Sequence, residues 1–538
     1  MDFENFSLLY PDRETQTDHL AEKNTPDISM FSLDELGFTQ IFDLKNSELS
    51  EFFTTDPRVI AYRQDTFSDM LKNESLGQMF RKLIPVLSDI MELRRLEADS
   101  GNTGDYLSSL TEIELYISCI EILHEGLSAA RPTLRGEAFS NLADRIAELA
   151  ESDYYRELNT KLNELTARVR EIKSVTIGVN LDAQLRPVEA GVLSVNPESF
   201  RSGDVLEKIL RLNFKNDAYT CIANLVPFGK KQSENQKTAL SLAFNSAIND
   251  VYRSSLRSWK HIVQSYVLEN TDFLLNLLPE FEFLTKGTDV LRALTLRGYP
   301  LCRPTLRPMD ERALSAQGLY NPEVALRIKD EIVPNDIVFD ENAMIYVLTG
   351  PNRGGKSVIT CAVGIAVAMT QLGMFVPAES ATISPADAIY THFPSGAEDT
   401  IDKGRLGEEC ARLGEIFDHV TSHSLVLLDE SLSSTGSYEA SYIAAEVLAG
   451  LSLVGCRCLF STHLHELAAE LDSIAEKTRA RGGVPIDTLV AGIEGEGKRS
   501  FRITRAKPDG KSYAHDIADR YGLTFENIVK KIDRHDAK

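Results

Sequence analysis

The segment MIYVLTGPNRGGKSV places four residues where phosphate chemistry needs them. Gly350, Gly355, Lys356 and Ser357 fit the spacing G-x-x-x-x-G-K-[ST], with Pro351, Asn352, Arg353 and Gly354 between the ends of the loop. Glycines let main-chain N–H groups close around phosphate oxygens, and a helix starting at the loop adds the positive end of its dipole. Lys356 can neutralise β- and γ-phosphate charge, and the Ser357 hydroxyl can ligate magnesium. ATP and Mg2+ are therefore the expected ligands. Further along, SLVLLDES ends an apolar run in adjacent carboxylates, Asp429 and Glu430. Successive strand residues face opposite sides, so one carboxylate can orient the metal while the strand end places the other toward an attacking water. A third apolar run, RCLFST, leads into His463, which can sense the γ-phosphate or hold the water by hydrogen bonding. Two carboxylates and a histidine serve water activation better than phosphoryl transfer to a second substrate, which argues against a kinase.

These residues need a sheet and a helix to carry them. MIYVLT (344–349), SLVLLDE (424–430) and RCLFST (457–462) read as buried strands, and ITCAVGIAVAM reads as the small-residue helix behind the loop. From residue 305 to 538 such runs alternate with helices, the mark of an α/β domain with a mainly parallel sheet. Upstream, residues 31–304 are mostly helical. Phe80, Leu83, Ile84, Leu87 and Ile90 recur at the offsets of one buried helix face, and Tyr155, Leu158, Leu162, Leu165, Val169 and Ile172 approach heptad spacing. The second set suits packing on a neighbouring helix, with a coiled coil between two copies as the alternative. A β-containing insertion is expected at about 174–250, where SVTIGVNLDAQLRPVEAGVLSVN interrupts the helical period. Residues 1–30 are acidic and polar, without apolar periodicity, and read as a mobile tail.

A formal net charge of −23 opposes nonspecific DNA binding, which is driven by phosphate neutralisation. The stretch 223–261 reverses that sign, with Lys230, Lys231, Lys237, Arg253, Arg257 and Lys260 against Glu234 and Asp250. It is either a solvated helix face or a DNA-contacting arm, with Lys230, Lys231 and Lys237 as candidate contacts. The seven cysteines show no metal spacing and suit a reducing cytoplasm. No run approaches the roughly 20 apolar residues of a membrane helix, and the N-terminus has no secretory pattern. A cytoplasmic protein without a membrane partner is expected.

IVPNDI (332–337), GPNRGGKS (350–357), FVPAESATISPAD (375–387), LVLLDE (425–430) and STHLHEL (461–467) follow one another as they do in the MutS family, and the chain resembles its ATPase domain over roughly residues 305–535. DPRVIAYRQDTFSDML and TLRGYPLCRPTL resemble the family's core and lever more loosely. The resemblance implies a multidomain architecture: a helical core and lever domain with a shortened clamp-like insertion, then an ABC-type phosphate-loop ATPase domain ending in a helical dimer motif. It implies that main chain at Ile332 and Val333 holds the adenine, that Ser357 and Asp429 hold magnesium, and that Glu430 polarises the water. Gly404 and Arg405 keep the GR of the segment that reaches the partner's nucleotide, whereas Leu406 stands where the family has serine. Arg353 replaces a methionine. The expected protein lacks the mismatch-reading and connector domains and ends without the small nuclease domain of the anti-recombination branch.

The resulting expectation is an ATP-driven dimeric clamp or switch, a homodimer acting on mismatched, branched or otherwise structured DNA in repair or recombination and recognising structure rather than sequence. The alternatives are an ATP-binding switch with slow turnover, which Leu406 favours, and an RNA- or ribosome-associated ATPase, which suits the acidic surface.

Overall fold

The computed structural model describes residues 6–100, 106–170, 173–181, 183, 187–199, 201–202, 220–221, 271–328, 331–394, 404–432, 435–494, 498–507 and 521–529. The chain forms two compact units. One comprises residues 75–132 and 140–281 with the first four residues, and the other residues 5–74, 133–139 and 282–538. The chain therefore passes between units at several points, where the sequence suggests a single boundary near 304. Helical periodicity shows that a face is buried but not which neighbour buries it.

The first unit is helical. Leu83, Leu87 and Ile90 on the helix Glu74–Ser100 are fully buried, and Phe80 packs on Phe281 with ring centroids 4.9 Å apart. Arg94 on that helix donates through Nε (2.9 Å) and Nη2 (2.6 Å) to Glu112 Oε1 on the helix Tyr106–Ala130. Tyr155, Leu158 and Leu162 on the helix Asp153–Arg170 are buried, and that helix packs on Tyr106–Ala130, where the Tyr155 hydroxyl donates to the Ile117 carbonyl at 3.4 Å. Tyr155, Leu158 and Leu162 thus serve a neighbour in the same chain, whereas the side chains of Leu165, Val169 and Ile172 lie outside the described residues. β1 (Ser174–Leu181) and β2 (Pro187–Asn196) form the expected hairpin, antiparallel with two register shifts. β3 (Arg201–Ser202) and β4 (Thr220–Cys221) add a short parallel pair. Lys230, Lys231 and Lys237 lie outside the described residues.

The second unit holds two sheets. β5 (Thr305–Leu306), β6 (Leu314–Leu319), β7 (Asn335–Phe339) and β9 (Ser380–Ile383) form a four-stranded sheet in the order β5-β9-β6-β7. The larger sheet contains β8 (Ile345–Thr349), β10 (Ile389–His392), β11 (Leu425–Asp429), β12 (Arg457–Ser461), β13 (Ile486–Glu494) and β14 (Lys498–Arg505). Its order is β10-β11-β12-β8-β13-β14, parallel except for β14. Every residue of β8, β11 and β12 is buried, as expected of strands covered on both faces. Even Arg457 is inside. Its guanidinium donates to the carbonyls of Ser384 (2.9 Å), Pro385 (3.2 Å) and His423 (3.3 Å), and burial lowers its pKa to about 10. Cys456 and Cys458 flank it as buried free thiols. Among the described residues no helix is long and apolar enough to cross a membrane.

The stretch expected as a mobile tail is ordered from Phe6 and belongs to this unit. Leu8 and Leu9 are fully buried, and Asp12 caps the helix Arg13–Leu20 by accepting from Thr15 N at 2.8 Å. Buried Arg63 holds the segment, donating from Nε to the Leu9 carbonyl at 3.1 Å and from Nη1 to the Phe52 carbonyl, with Tyr10 stacked 4.9 Å away. Gly373 (φ 76°) is required opposite: a Cβ there would lie 2.3 Å from the Arg63 Cβ. Asp27 extends the large sheet, its N–H donating to the Asp387 carbonyl (2.8 Å) and its carbonyl accepting from Ile389 N (3.0 Å). Sequence periodicity misses this because the contacts are main-chain hydrogen bonds and scattered apolar residues, not one helix face.

Removing the Arg63 guanidinium would leave the Leu9 and Phe52 carbonyls buried without their donor. Arg63→Ala should therefore lower stability by about 2–4 kcal/mol in urea unfolding and open residues 6–50 to proteolysis. Parental stability and an intact N-terminal fragment would show that Arg63 is not the anchor.

Candidate active site

β8 runs straight into the phosphate loop. Gly350 (φ 139°) passes so close to β13 that a Cβ would meet the Ala491 Cβ at 2.8 Å, which makes glycine necessary. Gly355 (φ 91°) closes the loop before the helix Lys356–Gln371, which is buried along most of its length. Arg353 takes φ 61° without being glycine. Successive main-chain N–H groups in such a turn form an anion-binding concavity.

Lys356 is only 4% exposed. Its Nζ donates to the carbonyls of Gly350 (3.3 Å) and Pro351 (3.4 Å) and lies 3.9 Å from Glu430 Oε1. Burial pushes its pKa down, while the Glu430 and Asp429 carboxylates pull it back up. A ligand bringing phosphate charge to this ammonium would stabilise its charged form.

The acidic pair is placed by sheet order, since β12 alone separates β11 from β8. Asp429 ends β11, and its Oδ1 is buried with no hydrogen-bond partner. Burial raises its pKa, opposed by the hydroxyls of Ser357 and Ser461. A buried, under-coordinated carboxylate oxygen beside a serine hydroxyl fits a hard cation that takes oxygen ligands. Magnesium thus suits the Ser357 and Asp429 pair. Glu430 turns out of the strand at φ 45°, anchored by its N–H to the Ser461 carbonyl at 2.8 Å, and lines a cavity of about 400 Å³.

That cavity also brings together Arg353, Gly355, Lys356 and Ser357 with Ile332 and Val333. The lining also includes Tyr320, Val324, Ile328 and Phe501 beside Ile332 and Val333. His463 stands apart from this lining, exposed beyond the end of β12. Gly404 and Arg405 begin the helix Gly404–His419. Leu406 is partly buried against the core cluster that includes Val426, Leu428 and Phe460. It packs into its own subunit instead of projecting from the helix.

Three contributors escaped sequence reading. Phe501 on β14 takes φ 55°, and a Cβ on Gly355 would sit 3.6 Å from its ring. Asn335 holds it there, donating to the Phe501 carbonyl (3.1 Å) and accepting from Ile503 N (2.7 Å). Arg499 Nε donates to the Asn352 carbonyl at 3.2 Å, a cation directly on the loop. In KRSFRITR only a lone aromatic in a polar strand hints at this, and its approach to the loop depends on hairpin placement.

The MutS domain V family model matches residues 346–487, and the MutS2 N-terminal domain model matches residues 55–283. Over both of these segments the chain is MutS-like. A DNA mismatch repair protein MutS of Rhodopirellula baltica is 28% identical over 506 residues, covering 88% of this chain and 53% of that protein. A DNA mismatch repair protein MutS of Lactobacillus delbrueckii subsp. bulgaricus is 37% identical over 174 residues, covering 32% of this chain and 20% of its own length. A DNA mismatch repair protein Msh6 of Gallus gallus is 37% identical over 190 residues, covering 33% of this chain and 14% of its own length. This MutS-like chain thus spans about half the length of the first relative and matches smaller shares of the others. The domain V match contains the whole phosphate loop and the acidic pair, and stops before Phe501.

Lys356→Ala should abolish tight ATP binding. Phe501→Ala should weaken ATP affinity about tenfold by removing an aromatic contact of roughly 1–3 kcal/mol while leaving kcat within twofold. Titration with a fluorescent ATP analogue checks both, and unchanged affinity in Phe501→Ala would remove Phe501 from the nucleotide site.

Proposed function

We propose that this MutS-like chain is an ABC-type ATPase that works as a dimeric, DNA-binding clamp or switch. One observation carries the reading: a single cavity is lined by the loop residues Gly355, Lys356 and Ser357 and by Glu430, with Asp429 immediately behind. ATP fits with its triphosphate on the loop and its adenine against the apolar side chains of Ile332, Val333 and Phe501. Lys356 neutralises β- and γ-phosphate charge, and the loop N–H groups hold the remaining oxygens. Ser357 and Asp429 would hold magnesium, which supplies charge neutralisation across the phosphates when bound. Glu430 then orients and polarises the attacking water. His463 is assigned the γ-phosphate contact, supported by its position at the end of β12, next to β8 in the sheet.

Gly404 and Arg405 are assigned to the partner's nucleotide, so two copies would complete two composite sites and ATP would draw the ATPase domains together. The names of the relatives, DNA mismatch repair proteins, support DNA as the macromolecular ligand. The assignment to DNA contact falls on the basic stretch around Lys230, Lys231 and Lys237, read from sequence alone. Slow turnover is the second reading, favoured by Leu406, whose side chain packs into its own core.

Glu430→Gln should keep ATP bound and lose hydrolysis by about a hundredfold or more, the usual effect of losing a positioned base. The ATP-loaded variant should also form the tighter dimer in light scattering, because ligand binding to one state shifts the population toward it. A monomer with and without ATP would sink the composite-site reading. Converting Lys230, Lys231 and Lys237 to Glu should weaken binding to every DNA while basal hydrolysis persists. In the parent, a G·T duplex bound about tenfold tighter than homoduplex, or 1.4 kcal/mol, would establish a mismatch reader and overturn the structure-dependent assignment.

A further inference from the structure

The backbone after β11 is strained on both sides of one serine. Glu430 (φ 45°) and Leu432 (φ 66°) hold left-handed conformations that side-chain-bearing residues rarely adopt. Such conformations are strained and persist only where the surroundings over-determine them. Leu432 is held by burial, at 1% exposure. Ser431, between the two, is held by a histidine.

Ser431 is 4% exposed and His392 is 1% exposed. The Ser431 hydroxyl donates to the His392 carbonyl at 3.0 Å, and its oxygen lies 2.8 Å from His392 Nδ1. A serine has one proton to give. Both contacts are satisfied when Nδ1–H donates to the Ser431 oxygen and the Ser431 hydroxyl donates to the carbonyl, so the ring takes the Nδ1–H tautomer. Burial and the nearby Arg412 charge keep the ring neutral by lowering its pKa to about 4, which suits that tautomer at ordinary pH.

His392 itself cannot drift. It is the last residue of β10, in parallel register with Leu428 of β11. The next residue is clamped twice: Phe393 N–H donates to Glu35 Oε1 at 3.3 Å, and Arg412 Nη1 donates to the Phe393 carbonyl at 3.5 Å. Arg412 Nη2 completes the clamp, donating to the same Glu35 oxygen at 3.1 Å, while its guanidinium lies 4.4 Å from the Phe31 ring. The end of β10 is thereby tied to the N-terminal segment and to the helix Gly404–His419.

We propose that His392 and Ser431 are positioning residues for hydrolysis, their mutual hydrogen bonds holding the left-handed turn that aims the Glu430 carboxylate into the nucleotide cavity. Neither side chain lines that cavity, so their effect passes through Glu430. The inference rests on Glu430 acting on the attacking water, as set out above.

The test measures kcat and ATP affinity separately in Ser431→Ala, His392→Ala and the double variant, with thermal midpoints, beside the parent and Glu430→Gln. Misplacing a catalytic group is expected to lower kcat about tenfold or more in each alanine variant, with ATP affinity within twofold of the parent. The double variant should be no worse than either single one, because both break the same link. His392→Asn, whose Nδ2 can take the place of Nδ1, should restore most of kcat. Parental kcat in both alanine variants would overturn the proposal. So would a joint fall of kcat, affinity and thermal midpoint without recovery in His392→Asn, which would make the pair a packing element. If Glu430→Gln hydrolyses ATP as fast as the parent, the underlying reading fails. A dead Glu430→Gln beside a fully active Ser431→Ala defeats the positioning role alone.

Discussion

Lys356 sets the terms for the whole second unit. Its ammonium is almost out of water, with two long carbonyl contacts and a carboxylate at 3.9 Å to offset the lost hydration. A cation in that position is tolerable only if the scaffold brings compensating charge to it. The order β11-β12-β8 does so, bringing the acidic pair to the loop across one intervening strand. The close pass of Gly350 against Ala491 fixes where the loop can lie, so the cation, the carboxylates and the cavity form one geometric problem with one solution. An anion at the loop would meet ready-made N–H donors and an under-compensated ammonium, and little would need to reorganise.

Much of that site is legible in sequence because its determinants are local. The phosphate loop works by spacing within a few residues, and Asp429 and Glu430 are adjacent at the end of an apolar run. Their buried strands could be read as continuous hydrophobic stretches for the same reason. Phe501 could not be found this way, since its approach depends on Asn335, far away in sequence, bridging two main-chain groups of β14. The ordered N-terminal segment was illegible on similar grounds. Arg63 satisfies carbonyls there, and a carbonyl leaves no trace in the amino-acid pattern. Leu406 shows a third limit: its departure from serine is visible, but whether it projects or packs inward is decided by the core beside it.

The polar residues of the second unit follow a common rule. Arg63, Arg457 and the pair Glu35–Arg412 all bind main chain from segments distant in sequence. Each is a long side chain doing what a loop cannot do alone, supplying donors or acceptors to backbone groups that strand pairing leaves over. Stability and site geometry are therefore coupled: the same clamp that seats residues 30–36 also fixes the strand beside the acidic pair.

The N-terminal segment has a consequence for how the molecule is made. Asp27 and the hydroxyl of Tyr390, 363 positions apart, meet at 3.0 Å. On a ribosome the early residues emerge long before the strand that Asp27 pairs with, and the other unit is synthesised in between. The edge at Asp27 must remain unpaired until residues 387–389 emerge, an interval in which chains of this size collect non-native partners. Closing so distant a contact also comes late and slowly, because chain entropy is lost before the contact repays it. The edge at Asp27 is thus completed only once residues 387–390 have been made, after the whole of the other unit.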